Sequence, residues 1–301
     1  MMIKKRFILR CLNACLLSCL LGTLNAAKAA EFKYFDSDSV KLRYRVSGEG
    51  EPVLLIHGLG ASIHLQWGAP GVIEALEKNY RVVAFDNRGH GRSGKPHDPA
   101  LYGEEMMHDA VRLLDHLQIA KAHIVGYSMG AVITDKLLVE HPERFLTATL
   151  GGAGWVKPND DRAEFLTEVA DSLEQEKGIG PLLVKLTPEG RPKPTDDQLR
   201  MRVANKVFGF VNDQKALAAA ARGMQRLAVT EEQLKQNRVP TLALVGGIDP
   251  LKITVDEMAE VMPNLTVAVI EDADHFTAFR SPQFLRELKG FLDSHAAAKT
   301  E

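Results

Sequence analysis

Residues 121–139 read Lys-Ala-His-Ile-Val-Gly-Tyr-Ser-Met-Gly-Ala-Val-Ile-Thr-Asp-Lys-Leu-Leu-Val. The first five residues form an apolar, β-type run, and those after Gly130 carry apolar side chains at helical spacing. Between them lies Gly126-Tyr-Ser-Met-Gly130, a G-x-S-x-G pattern in the strand–turn–helix setting that a nucleophile elbow requires. A serine held on so sharp a turn needs neighbours without side chains, so that strand and helix can approach closely while Oγ stays exposed. Alone the pattern is weak, because glycine and serine are common in loops. Its weight comes from an aspartate and a histidine further along the chain.

A serine hydroxyl is a poor nucleophile at neutral pH until a base takes its proton and a carboxylate orients that base. Downstream, the run Thr241-Leu-Ala-Leu-Val245 ends in Gly246-Gly-Ile-Asp249-Pro250, and Leu265-Thr-Val-Ala-Val-Ile270 ends in Glu271-Asp-Ala-Asp-His275-Phe276. The order Ser128, Asp249, His275 is the order Ser…Asp/Glu…His of one class of triad. Each candidate sits just past a predicted strand, the edge at which open α/β sheets build their sites. Asp249 has three rivals, Asp86, Asp272 and Asp274. Asp274 is disfavoured because adjacent residues of an extended segment point apart. Of the ten histidines, His275 alone comes just past the last strand, whereas His57 and His90 precede the serine and His295 lies in the polar tail.

With these residues in view, the chain beyond residue 31 resembles the α/β-hydrolase superfamily, in its serine-nucleophile branch with a helical cap. Two more segments carry the resemblance: His57-Gly-Leu-Gly60 after Val53-Leu-Leu-Ile56, and Asp86-Asn-Arg-Gly-His-Gly-Arg-Ser-Gly-Lys-Pro96 after Arg81-Val-Val-Ala-Phe85. The first resembles the family's oxyanion loop and the second its glycine-rich turn. The resemblance implies a mostly parallel eight-stranded sheet flanked by helices. It also implies an oxyanion hole made by the backbone amides of Leu59 and Met129, the latter in accord with the elbow rule. The family commonly has glycine before its histidine, and Asp274 departs from that.

Around these motifs, segments 31–35 and 40–46, split by Asp36-Ser-Asp-Ser39, form a predicted antiparallel hairpin. From residue 53 strand and helix patterns alternate, which implies a parallel sheet. Met107, Val111, Leu114 and Leu117 mark one helix over 102–117, and 145–150 reads as a further strand. Strand signals vanish between Trp155 and Arg238. Helices are expected there around Phe165, Val169 and Leu173, over 199–207 and over 216–227, with a turn or linker at 187–195. The expected organisation is therefore a core of 30–154 and 239–301 with a helical cap at 155–238. Trp155 and Phe276 are candidate pocket residues, with Phe208, Phe210 and Met224 as further aromatic or flexible contributors.

Residues 1–29 read as a secretory signal peptide: Lys4, Lys5 and Arg6, then an apolar stretch from Cys11 to Leu24, then Ala27-Lys-Ala29. The stretch is short for a membrane span, which takes about 20 residues, so no stable membrane insertion is expected, and Leu16-Leu-Ser-Cys19 fits a lipoprotein cleavage box poorly. The whole chain carries −2. Five basic and no acidic residues lie in 1–29, so a chain cleaved there would carry −7 and lose all three cysteines. That charge disfavours nucleic acid as a partner. No H-E-x-x-H or phosphate-loop pattern occurs, so no metal and no cofactor is expected. The sequence points to an exported, periplasmic or extracellular, serine hydrolase of a small-molecule acyl substrate. A carbon–carbon bond hydrolase of β-diketone-type substrates, and a slow or non-catalytic small-ligand receptor, are the alternatives.

Overall fold

The short apolar runs in the middle of the sheet become strands because they are covered on both faces. Strand β1 (Phe32–Ser37) and β2 (Val40–Ser47) open the chain, followed by β3 (Pro52–Ile56), β4 (Arg81–Phe85), β5 (Ala122–Tyr127), β6 (Phe145–Gly151), β7 (Thr241–Gly246) and β8 (Leu265–Ile270). The computed structural model of the protein describes residues 31–160, 164–195 and 213–296. The expected signal peptide, the helix expected over 199–207, Phe208 and Phe210 lie outside the described residues.

The eight strands form one sheet in the order β1-β2-β4-β3-β5-β6-β7-β8. Strands β1, β2 and β4 pair antiparallel, and every pair from β4/β3 through to β7/β8 is parallel. The predicted hairpin is present, with Ser37 opposite Val40 and a two-residue turn in which Asp38 and Ser39 both have positive φ. That handedness matches the twist of the strands it joins. From β3 the chain passes to β4 on one side of β3 and later to β5 on the other. Connections leaving neighbouring strands in opposite directions open a crevice at the strands' carboxyl ends. The loops after β3 and β5 meet there, with Ile56 in register with Gly126.

Alternation along the strands divides the core into two layers. Leu54, Ile56, Val83, Phe85 and Ile124 face one layer, with α2 (Glu104–His116) and α3 (Met129–Glu140). Val53, Leu55, Val82, Ala84 and Val125 face the other, with α1 (Val72–Leu76) and α9 (Pro282–His295). The glycine-rich turn after β4 is pinned to α2 by a buried fork: Arg88 donates to both Asp109 carboxylate oxygens at 2.7 and 2.6 Å, and Ser37 Oγ donates to the same carboxylate at 2.6 Å.

Between β6 and β7 the described residues contain helices and no strand: α4 (Glu164–Glu174), α5 (Gly180–Lys185), α6 (Gln214–Gly223) with a 3-10 turn at Met224–Leu227, and α7 (Glu231–Gln236). Val169, Ala170 and Leu173 of α4 pack on Leu217, Ala218 and Ala221 of α6, forming a small apolar core of their own. Helix α8 (Lys252–Ala259) follows β7. Among the described residues no helix is long and apolar enough to cross a membrane.

Helix α3 is buried along nearly its whole length, including Asp135. One Asp135 carboxylate oxygen has no hydrogen-bond partner among the described residues. Burial pushes its pKa up to about 7, with Lys136 opposing the shift. An acid whose folded pKa is raised contributes stability below its unfolded pKa, about 3.9, and loses that contribution as pH rises through 7. Asp135→Asn removes the charge without changing shape. It should raise the melting temperature by about 3 °C or more at pH 8 and change it little at pH 3.5, below the unfolded pKa. Equal effects at the two pH values, seen by calorimetry, would contradict this origin.

Candidate active site

The elbow is set by backbone geometry. Ser128 follows β5 directly and caps α3 with φ 56° and ψ −118°, a conformation that L-residues seldom adopt. Its N–H donates to Gly151 O at 2.7 Å, and its carbonyl accepts the Ala131 N–H at 2.8 Å, so strand and helix clamp it from both sides. The two glycines are steric necessities. A Cβ on Gly126 would lie 2.1 Å from Gly130 O, and one on Gly130 would lie 2.1 Å from Ile56 O.

The structure brings the other two candidates to this serine. His275 Nε2 lies 3.0 Å from Ser128 Oγ, and its Nδ1 lies 2.8 Å from Asp249 Oδ2. An ionised carboxylate can only accept, so Nδ1 carries the hydrogen and Nε2 is left as acceptor for the serine hydroxyl. The other Asp249 oxygen accepts the Leu251 N–H at 2.9 Å. Both side chains are almost fully buried, which limits solvent screening of their pairing. The loops carrying them are bonded together, with Gly247 N–H on Ile270 O and Ile248 N–H on Ala273 O.

Tyr127, one residue before Ser128, also holds His275 in place. Its hydroxyl donates to His275 O at 2.7 Å, and its ring lies 5.4 Å from the imidazole. Sequence analysis did not single it out. The only signal was a tyrosine inside the elbow motif, with nothing local to say where its hydroxyl would find a partner.

The rival residues have structural work. Asp86 accepts the N–H groups of Ile63 and Arg92 at 2.8 and 3.0 Å and pairs with Arg43. Asp274 accepts the amides of Phe276 and Thr277 and the Thr277 hydroxyl, building the turn after the histidine. Asp272 occupies a positive-φ turn position. His57 accepts the Asn87 N–H at 3.0 Å through Nε2, and burial pulls its pKa down to about 4, so it stays neutral. His90 behaves alike, pulled down to about 3 by burial and by His57.

Beside Ser128 opens an apolar chamber of about 140 Å³. Leu59, Met129, Trp155 and Met224 all border it, with Phe165, Leu166 and Leu182 of the helical segment opposite. Trp155 is held by an Nε1–H bond to Val229 O at 2.6 Å. Phe276 does not belong to this wall. It is 42% exposed, its ring edge-on to His275 at 5.6 Å, because the turn that aims His275 inward aims the next side chain out. Met129 is the first residue of α3, so its N–H has no intrahelical acceptor. The loop before Leu59 runs against the serine: a Cβ on Gly58 would lie 3.2 Å from Ser128 Cβ. Among the described residues no group of three His, Cys, Asp or Glu side chains could hold a metal. The arrangement can activate a serine hydroxyl and receive an apolar group next to it.

The sequence pattern of the alpha/beta hydrolase fold family matches residues 51–282, and the chain belongs to that family. It is 30% identical over 259 residues to the dihydrolipoyllysine-residue acetyltransferase component of an acetoin cleaving system from Cupriavidus necator, covering 83% of this chain. The match spans 65% of that longer protein, just under two thirds. It is 28% identical over 260 residues to 3-oxoadipate enol-lactonase 2 from Acinetobacter baylyi, covering 82% of this chain and 91% of the relative. The solved enol-lactonase from Burkholderia xenovorans superposes with a TM-score of 0.71 at 25% identity, covering 87% of this chain and all of that one. The protein is thus an enzyme of the hydrolase class.

Proposed function

We propose that the protein is a carboxylic ester hydrolase working through a serine acyl-enzyme. The observation that carries this reading is the continuous path Asp249–His275–Ser128, at 2.8 and 3.0 Å, ending at the apolar chamber. Ser128 Oγ attacks the ester carbonyl while His275 Nε2 takes its proton, and Asp249 stabilises the imidazolium that forms. The amides of Met129 and Leu59 hold the oxyanion, each worth roughly 3–4 kcal/mol of barrier. The imidazolium then protonates the departing alcohol, and the same nitrogen draws a proton from the water that releases the acid. The similarity to enol-lactonases supports an ester substrate, since a lactone is a cyclic ester.

In this reading residues 155–238 act as a cap that limits the chamber itself to the apolar part of short or medium acyl groups. Each fitted methylene adds about 0.8 kcal/mol until the wall is met. Across p-nitrophenyl esters from acetate to palmitate, kcat/KM should peak at short or medium length. Asp249→Asn should lower kcat by about 10³–10⁴ by presenting the wrong imidazole tautomer, with Asp274→Asn costing far less. A maximum at palmitate would overturn the cap reading, and a larger loss in Asp274→Asn would overturn the acid.

The pattern of residues 4–29 supports export to the periplasm or medium as part of the same proposal. Exported material should begin near Ala30 by intact mass, and material that retains Met1 would contradict it.

A further inference from the structure

The chamber wall carries one feature that hydrolysis of a neutral ester does not use. Lys185, the last residue of α5, borders the chamber from the helical segment, and its ammonium lies 5.7 Å from the centre of the Phe165 ring, which borders it too. It is the only Lys or Arg among the chamber's described lining residues, and it makes no ion pair with a described carboxylate. Asp160, the one carboxylate on the same wall, is not without a partner.

Lys185 also borders a second, more open groove of about 600 Å³, which shares Pro250 with the chamber and is lined further out by Glu189, Arg191 and Lys193. Asp249 reaches that groove as well, buried and hydrogen-bonded to His275. Arg191 has only a loose contact with Asp274, at 3.8 Å. The groove that meets the chamber at Lys185 thus sets Lys185, Arg191 and Lys193 against Glu189 and Asp249, an excess of one positive charge on a chain whose formal charge is negative. A lysine resting its stem on apolar surface keeps its head solvated and able to pair. An aromatic face on one side strengthens its hold in that position.

We infer that Lys185 selects esters carrying a carboxylate remote from the scissile bond, the chemistry of a dicarboxylic acid half-ester. The apolar chamber holds the methylene chain, Ser128 meets the ester carbonyl, and the carboxylate reaches Lys185 where the chamber meets the groove. This rests on the ester-hydrolase reading above. Because the pair forms at a half-solvated rim, its contribution is to ground-state binding and shows in KM rather than kcat. It also weakens with ionic strength.

The test compares monomethyl half-esters, from succinate through sebacate, with methyl esters of monocarboxylic acids of matching chain length. The enzymes are wild type, Lys185→Met and Lys185→Arg. At one chain length the wild type should favour the half-ester in kcat/KM by about fivefold or more, mostly through KM, with the preference shrinking at high salt. Lys185→Met should abolish the preference and Lys185→Arg should keep it. The ratio of the two substrates is the readout, so a variant that merely loosens the helix lowers both rates and leaves the ratio unchanged. A wild-type ratio near one, or a preference that survives in Lys185→Met, overturns the inference while leaving the ester-hydrolase reading intact. No turnover of either series overturns both.

Discussion

Ser128 occupies a backbone conformation that an isolated chain would leave at once, and the rest of the site depends on its being held there. A φ of 56° at a non-glycine residue costs on the order of 1–3 kcal/mol. Strand β6, through Gly151 O, and helix α3 hold it by bonds on both sides of the residue, and glycines at 126 and 130 let the helix start against Ile56 O. Those contacts need β3 and β5 to be neighbours, which the sheet order supplies. The same crossing places the loop of Gly58 and Leu59 against the serine. Fold and nucleophile are in this sense one constraint.

His275 is held in a similar way. Tyr127 ties the His275 loop to the strand that carries the serine, and the bonds between the 246–249 turn and the 270–273 turn tie acid to base. Asp249 and His275 thus follow the neighbouring strands β7 and β8, and the Tyr127 hydroxyl ties the His275 loop across to β5. Loops positioned by rigid strands can hold distances of 2.8 and 3.0 Å without help from any ligand.

The parts legible in the sequence were those written in short-range patterns. Apolar runs bounded by turn residues located β3 to β8, and Asp36-Ser-Asp-Ser39 located the hairpin, because buried parallel strands and tight turns each constrain residues within a few positions. Ser128, Asp249 and His275 could be nominated because each follows such a run. Phe276 was misplaced because its direction depends on the turn built by Asp274, a bonding pattern between side chain and backbone that periodicity does not encode. Helices α5 and α7 went unseen for another reason. With six residues each they have too few turns to show an amphipathic period, and tertiary contacts rather than propensity make them helical. Lys185 and Leu182, which give the chamber part of its character, lie on one of these two helices.

The central claim is that the path through Asp249 and His275 makes Ser128, alone among the chain's hydroxyls, a nucleophile. Treatment with a fluorophosphonate probe followed by peptide mass spectrometry tests it directly, since the probe bonds covalently to an activated serine oxygen. The account predicts a single adduct on the peptide containing Ser128, formed in wild type and absent in His275→Ala. An adduct on another residue, or labelling of Ser128 at an undiminished rate in His275→Ala, would contradict it.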